Sequence, residues 1–285
     1  MNGKVYKTAE GKNIVESFYK NILANYKELP FEQLYIPTEA GITHVLKFGN
    51  ENNPPVILIH GTASNSASWL GCVKDFAKNY CVYCIDIPGE PGLSEPNRIK
   101  LASDLPNKWL SSLIEKLIAG KVSFVTISLG SWYALNFAVN NQENVTALSM
   151  LTTGGIVPVR RSFVFKALIY ILMGKSGQKK LTKTIYHKTE VPSVVLEFQE
   201  IITKHFIPVM GKIPLFRDDE LNRIKFPLQF FGGDCDALID CVETGKRLKS
   251  IIPSAEINIL EDTGHVIIDR FDEIKNFVDK CNNNG

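Results

Sequence analysis

No stretch of the 285 residues reaches the roughly 18 consecutive apolar positions that a membrane-spanning helix needs. The nearest run, FVFKALIYILM at Phe163–Met173, is too short and carries Lys166, so a buried or pocket-lining helix is expected there. The first residues, MNGKVYKTAEGKN, lack the apolar core of a secretory signal. Cysteine is sparse, at positions 72, 81, 84, 235, 241 and 281, with no framework spacing. Cys81 and Cys84 form a CxxC, but inside a strand-like run. Strand positions three apart point to opposite faces, so the two thiols cannot share one metal. Free thiols are expected, which suits a reducing cytosol and a cytoplasmic protein. A strong charge of one sign is also missing: 32 basic residues face 30 acidic ones, net +2. That argues against nucleic-acid binding by bulk electrostatics. The local lysine run at 175–183, with Lys179, Lys180 and Lys183, reads as a solvated helix face. Internal repeats and low-complexity tracts are absent as well.

What is present is an ordinary globular composition, 45% hydrophobic and 22% charged, in a chain long enough to bury a core without staples. Residues 12–28 place Ile14, Phe18 and Ile22 on one helical stripe, an amphipathic helix ahead of the main fold. Strands are expected at Ile42–Phe48, Val56–Ile59, Cys81–Ile85, Val122–Ile127 and Val145–Leu151. Helices are expected between them at Ser66–Lys78, Asp104–Ala119 and Leu129–Asn140. Short all-apolar runs such as VILI at 56–59 suit strands buried on both faces. Alternation of strand and helix implies a parallel sheet covered on both sides. The rhythm stops at Gly154–Gly155. From Ile156 to about Pro214 only helical patterns occur. It resumes with strands at Phe226–Phe231 and Ile257–Leu260 and helices at Cys241–Ser250 and Val266–Lys280. The expected organisation is therefore an N-terminal helix (1–30) packed on a core (31–155 and 215–285), with a helical cap inserted at 156–214.

The segment VSFVTISLGSW at 122–132 runs a strand directly into Ser128 and a helix directly out of it. Such a turn strains the central residue and needs small neighbours two positions either side. Here these are Thr126 and Gly130. The turn exposes the hydroxyl at the strand's end and aims the first helical amides at whatever binds there. A serine hydroxyl is a poor nucleophile until an imidazole takes its proton and a carboxylate fixes that imidazole. Two later segments supply both groups at strand ends. PLQFFGGDCDALID (227–240) offers Asp236, preferred over Asp234 from the Gly-x-x-Asp spacing set by Gly233, with Asp240 and Asp262 as weaker options. EINILEDTGHVII (256–268) offers His265. In LIHGTASNSASW (58–69), the amide of Thr62 is a candidate oxyanion donor beside that of Leu129. His60 is read as a structural residue of that loop.

These residues (HGT at 60–62, DIPGEPGLSEP at 86–96, TISLGSWYALNFA at 126–138, GGDCD at 232–236 and GHVI at 264–267) resemble the α/β-hydrolase fold superfamily, and in particular small bacterial carboxylesterase-like members. The resemblance spans about residues 40–282. It implies a mostly parallel eight-stranded sheet with helices on both faces, an inserted helical cap, a Ser128–His265–Asp236 triad, no cofactor and no metal. It departs from the usual pattern at Thr126, normally Gly, and Ser131, frequently Gly. The turn after Asp86 is expected to be structural. A serine nucleophile favours acyl transfer, and the expected activity is a carboxylesterase on short- to medium-chain esters, with a small-molecule ester as partner. The same scaffold hosts C–C hydrolases, thioesterases, peptidases, perhydrolases and ligand sensors that keep a triad, and fold alone does not choose among them. Monomer and homodimer both remain open.

Overall fold

A computed structural model of the chain describes residues 4–209 and 212–283. In chain order the elements are α1 (Ala9–Asn25), β1 (Phe31–Thr38), β2 (Gly41–Phe48), β3 (Pro55–Ile59), α2 (Val73–Ala77), β4 (Cys81–Ile85), α3 (Leu105–Leu117), β5 (Val122–Ile127), α4 (Leu129–Asn140) and β6 (Val145–Leu151). Then come α5 (Arg161–Leu172), α6 (Gly174–Tyr186), α7 (Ser193–His205), α8 (Asp218–Leu221), β7 (Leu228–Gly233), α9 (Cys241–Ile251), β8 (Glu256–Leu260) and α10 (Phe271–Asn283).

The eight strands form one sheet in the order β1-β2-β4-β3-β5-β6-β7-β8. Strands β3 to β8 pair in parallel, while β1 and β2 are antiparallel to each other and β2 is antiparallel to β4. The all-apolar strands β3 and β4 are buried on both faces. Each face carries its own core. One holds Ile57, Trp109, Phe124 and Phe137, the other Val56, Trp69, Phe76 and Phe277. Cys81 belongs to the first and Cys84 to the second, so the CxxC does straddle the sheet. The six cysteines are free thiols, and Cys235 is exposed.

Several boundaries differ from the sequence expectation. Strand β1 has no counterpart there. It is an edge strand with alternate residues half-buried and Pro37 within it, which weakens the period-2 signal. The helix expected at 66–78 is broken into a 3₁₀ turn (Ser66–Trp69), capped by the Asn65 side chain, and α2. The last helix starts at Phe271, not 266, because the intervening residues form the loop that carries His265. The stripe of α1 is shifted by one residue: Val15, Tyr19 and Leu23 are buried, whereas Ile14 is exposed and Phe18 and Ile22 are half-buried. The shift follows from two partners. Tyr19 packs into the core, while the Phe18 ring stacks on Phe198 of α7 at 5.8 Å.

Between β6 and β7 the described residues form helices and no strand of the sheet; an isolated bridge joins Tyr6 to Phe206. Helix α5 was expected to be buried or pocket-lining. It is largely exposed instead.

Candidate active site

Strand β5 ends at Ile127 and α4 begins at Leu129, so Ser128 makes the whole turn. Its φ of 53° lies in the left-handed region that non-glycine residues rarely adopt. The surrounding structure holds it there. The Ser128 amide donates to the Leu151 carbonyl of β6 at 2.9 Å. Gly130 lets α4 sit against β3, since a Cβ at that position would lie 2.3 Å from the Ile59 carbonyl oxygen. Gly61 is less constrained. A Cβ there would touch the Ser128 Cβ at 3.4 Å, an ordinary contact.

The three side chains singled out in the sequence meet. His265 Nε2 lies 3.1 Å from Ser128 Oγ, and His265 Nδ1 lies 2.7 Å from Asp236 Oδ2. Asp236 Oδ1 accepts the amides of Leu238 and Ile239 at 2.7 and 3.1 Å. Asp236 and His265 are buried, and Ser128 is half-exposed. Burial pushes the Asp236 carboxyl up, but the charge and hydrogen bond of His265 and the two amides outweigh it and hold Asp236 below the ordinary range. With an ionised carboxylate at Nδ1, the neutral imidazole carries its proton there and presents the Nε2 lone pair to the serine. The His265 amide also donates to the Ile185 carbonyl of α6 at 3.0 Å, tying this loop to the inserted helices.

The competing acids have other partners. Asp240 caps α9 by accepting the Glu243 amide and pairs with Arg160. Asp234 accepts the Thr263 amide at 3.3 Å. Asp262 pairs with His187 and Lys188. His60 is buried. Its Nε2 accepts the Ile87 amide at 3.0 Å and its Nδ1 donates to the Gly61 carbonyl at 2.8 Å. Burial lowers its pKa and keeps it neutral, so it braces the loop.

Leu129 is the first residue of α4, and the first amides of a helix have no acceptor within it. Thr62 lies in the turn after β3. The next residue, Ala63, has a φ of 55°, and its amide donates to Glu90 Oε2 at 2.6 Å. Glu90 was not singled out in the sequence. It lies within the turn after Asp86, and only the fold brings it under the Thr62 loop. It is 3% exposed, and burial pushes its carboxyl up to about 7, against the pull of the Ala63 amide and the Arg98 charge. Asp86 itself is structural. It joins His44 Nδ1 at 2.7 Å, the amides of Ser66 and Leu93, and the Tyr19 hydroxyl.

Residues 56–275 match the model of the alpha/beta hydrolase family. The chain belongs to that family. It is 26% identical over 246 residues to the uncharacterised carboxylesterase nap of Bacillus subtilis, covering 83% of this chain and 81% of the relative. It is 22% identical over 249 residues to carboxylesterase YbfK of the same organism, covering 83% and 82%. Among solved structures, carboxylesterase CesB (YbfK) from B. subtilis superposes with a TM-score of 0.84 at 20% identity, over 97% of this chain and all of that one. The naproxen esterase of B. subtilis gives 0.81 at 22% identity, over 96% and 98%.

Within this family member, the two departures at the serine turn are neighbours. The buried Thr126 hydroxyl lies 3.0 Å from Ser131 Oγ and 3.2 Å from the Ser149 carbonyl oxygen. The Thr126 hydroxyl thus has two buried partners, and the close approach of the turn to β3 falls at Gly130. Among the described residues, one group of side chains has the donor chemistry for a metal ion: His187, Cys235 and Asp262, with ligand atoms within 4.8 Å of one another. It lies outside the Ser128–His265–Asp236 chain, and Asp262 there is already engaged by His187 and Lys188.

Proposed function

We propose that this family member is a serine carboxylesterase that cleaves short- to medium-chain carboxylic esters through an acyl-enzyme on Ser128. The observation that carries this is the unbroken chain of contacts Asp236–His265–Ser128, at 2.7 and 3.1 Å, with the serine at the partly open end. His265 takes the Ser128 proton as Oγ attacks the ester carbonyl. The negative oxygen of the tetrahedral intermediate is met by the amides of Thr62 and Leu129; one such donor is typically worth about 3–4 kcal/mol of barrier. His265 then protonates the leaving alcohol and later activates the water that frees the acid. Asp236 fixes the imidazole and steadies its positive form throughout. No step calls for a cofactor or a metal. The names of the similar B. subtilis proteins support ester hydrolysis as the chemistry. Residues 156–214, tied to the His265 loop through Ile185, would serve as the cap over the site. Six free thiols support a reducing, cytoplasmic setting.

A fluorophosphonate probe tests nucleophile and base together, with peptide mass as the readout and p-nitrophenyl butyrate turnover alongside. Labelling is expected on Ser128, absent from Ser128→Ala and lost in His265→Ala. Equal labelling in the histidine variant would remove His265 as the base. Labelling with no turnover on a broad ester panel would favour a ligand sensor.

A further inference from the structure

Helix α5 presents an apolar side to solvent. Val164, Phe165, Leu168, Ile169 and Leu172 follow one another at helical spacing, with Phe165 70% and Leu172 88% exposed. Single exposed apolar residues are normal, but a contiguous stripe of this size marks a surface that something covers.

The charge around it says what kind of surface. Residues 144–189 contain no Asp or Glu, yet hold eight of the chain's 32 basic residues. The other 24 basic residues are outnumbered by the 30 acidic ones, so the molecule is polarised: one basic segment on an otherwise acidic protein. Arg160 and Lys188 of that segment are paired with Asp240 and Asp262. Arg161 and Lys166 on α5 and Lys179, Lys180 and Lys183 on α6, which packs beside it, are exposed. A second copy meeting this face across a two-fold axis would set the same cations against each other. An apolar stripe bordered by cations, in a segment that carries no acidic residue of its own, fits a surface that is apolar inside and anionic at its border. A bilayer containing acidic phospholipid has that profile.

We propose that the α5–α6 hairpin docks this protein on anionic lipid bilayers. Phe165, Leu168, Ile169 and Leu172 enter the boundary between headgroups and acyl chains, while the lysines of α6 engage lipid phosphates. The docked state lies in the interface and does not span the bilayer. Because α6 also holds the His265 loop through Ile185, docking brings a lipid surface to the segment that borders the proposed site.

The test is co-sedimentation of the full chain with two kinds of vesicle, one of phosphatidylcholine alone and one in which about a third of the lipid is phosphatidylglycerol, enough to give a strongly negative surface. It reads partition and not turnover, so it stands or falls separately from the esterase assignment. Partition is expected onto the acidic vesicles and weakly onto the neutral ones. Each surface lysine is worth about fivefold, so Lys179→Ala/Lys180→Ala/Lys183→Ala should lower partition about 100-fold. Phe165→Ser/Leu172→Ser should lower it too, with the far-UV circular dichroism melt of each variant unchanged. Absence of partition onto acidic vesicles would overturn the proposal, as would equal partition by the lysine variant. So would a concentration-dependent dimer that Phe165→Asp dissolves, since a second copy would then be the occupant.

Discussion

Glu90 is the buried carboxyl whose ionisation should be felt most. It is 3% exposed, accepts the Ala63 amide at 2.6 Å, and has its carboxyl raised from 4.5 to about 7 by burial. In the unfolded chain the group releases its proton near 4.5, while in the fold it keeps it until about 7. Between those values the folded state binds the extra proton, so Glu90 favours folding at low pH, and that contribution is lost as pH rises through the interval. At about 1.4 kcal/mol per pH unit, the whole interval is worth about 3 kcal/mol, of which about 2–3 kcal/mol falls between pH 5 and 8. Glu90→Gln keeps an acceptor oxygen for Ala63 and cannot titrate. Urea unfolding of both proteins at pH 5, 6, 7 and 8 isolates the effect, because every other titrating group cancels in the difference. Wild-type stability relative to the variant should drop by about 2–3 kcal/mol from pH 5 to pH 8. A difference that stays flat over that range would show that the Glu90 carboxyl ionises normally in the fold, and the burial argument would fail.

Asp86 should give the opposite limb. Burial raises its carboxyl, but the hydrogen bond and charge of His44 outweigh that and hold it at about 2. Its stabilising contribution is present above its ordinary 3.8 and disappears as pH falls toward 2, worth about 2 kcal/mol; Asp86→Asn should flatten the acid limb of stability by that amount in pH-jump unfolding. Asp236→Asn should keep the packing yet present the wrong imidazole tautomer to Ser128, lowering kcat by about 10⁴, measured on p-nitrophenyl butyrate. Gly130→Ala would place a methyl 2.3 Å from the Ile59 carbonyl and 2.5 Å from that of His60, so a stability loss above about 3 kcal/mol is expected by thermal and denaturant melts.

The proposed triad was legible because each member sits in its own local signature. Ser128 lies between a buried, largely apolar strand and a largely apolar helix, and Asp236 and His265 each follow a strand and a glycine. The central strands were legible for a related reason: burial on both faces leaves unbroken apolar runs such as VILI. Strand β1 was not, since an edge strand that is only half-buried on its inner side and contains Pro37 has little apolar pattern to offer. Nor was the α1 face, because that helix answers to two neighbours at once. The tie from Glu90 to Ala63 spans 27 positions, and nothing in either tripeptide announces it. The exposure of α5 also lay beyond reach: an apolar helix reads the same in sequence whether it is covered or bare.

Adjacent residues of α1 hold different parts of the molecule. Tyr19 bonds to Asp86 beneath the serine's sheet edge, and Phe18 stacks on α7. A lever gripped at two points transmits displacement between them. Any rocking of α7 must either drag Tyr19 or slide across Phe18, so deuterium uptake in the inserted helices should rise when Tyr19 alone is shortened to phenylalanine, although its hydroxyl bonds to Asp86 and not to them.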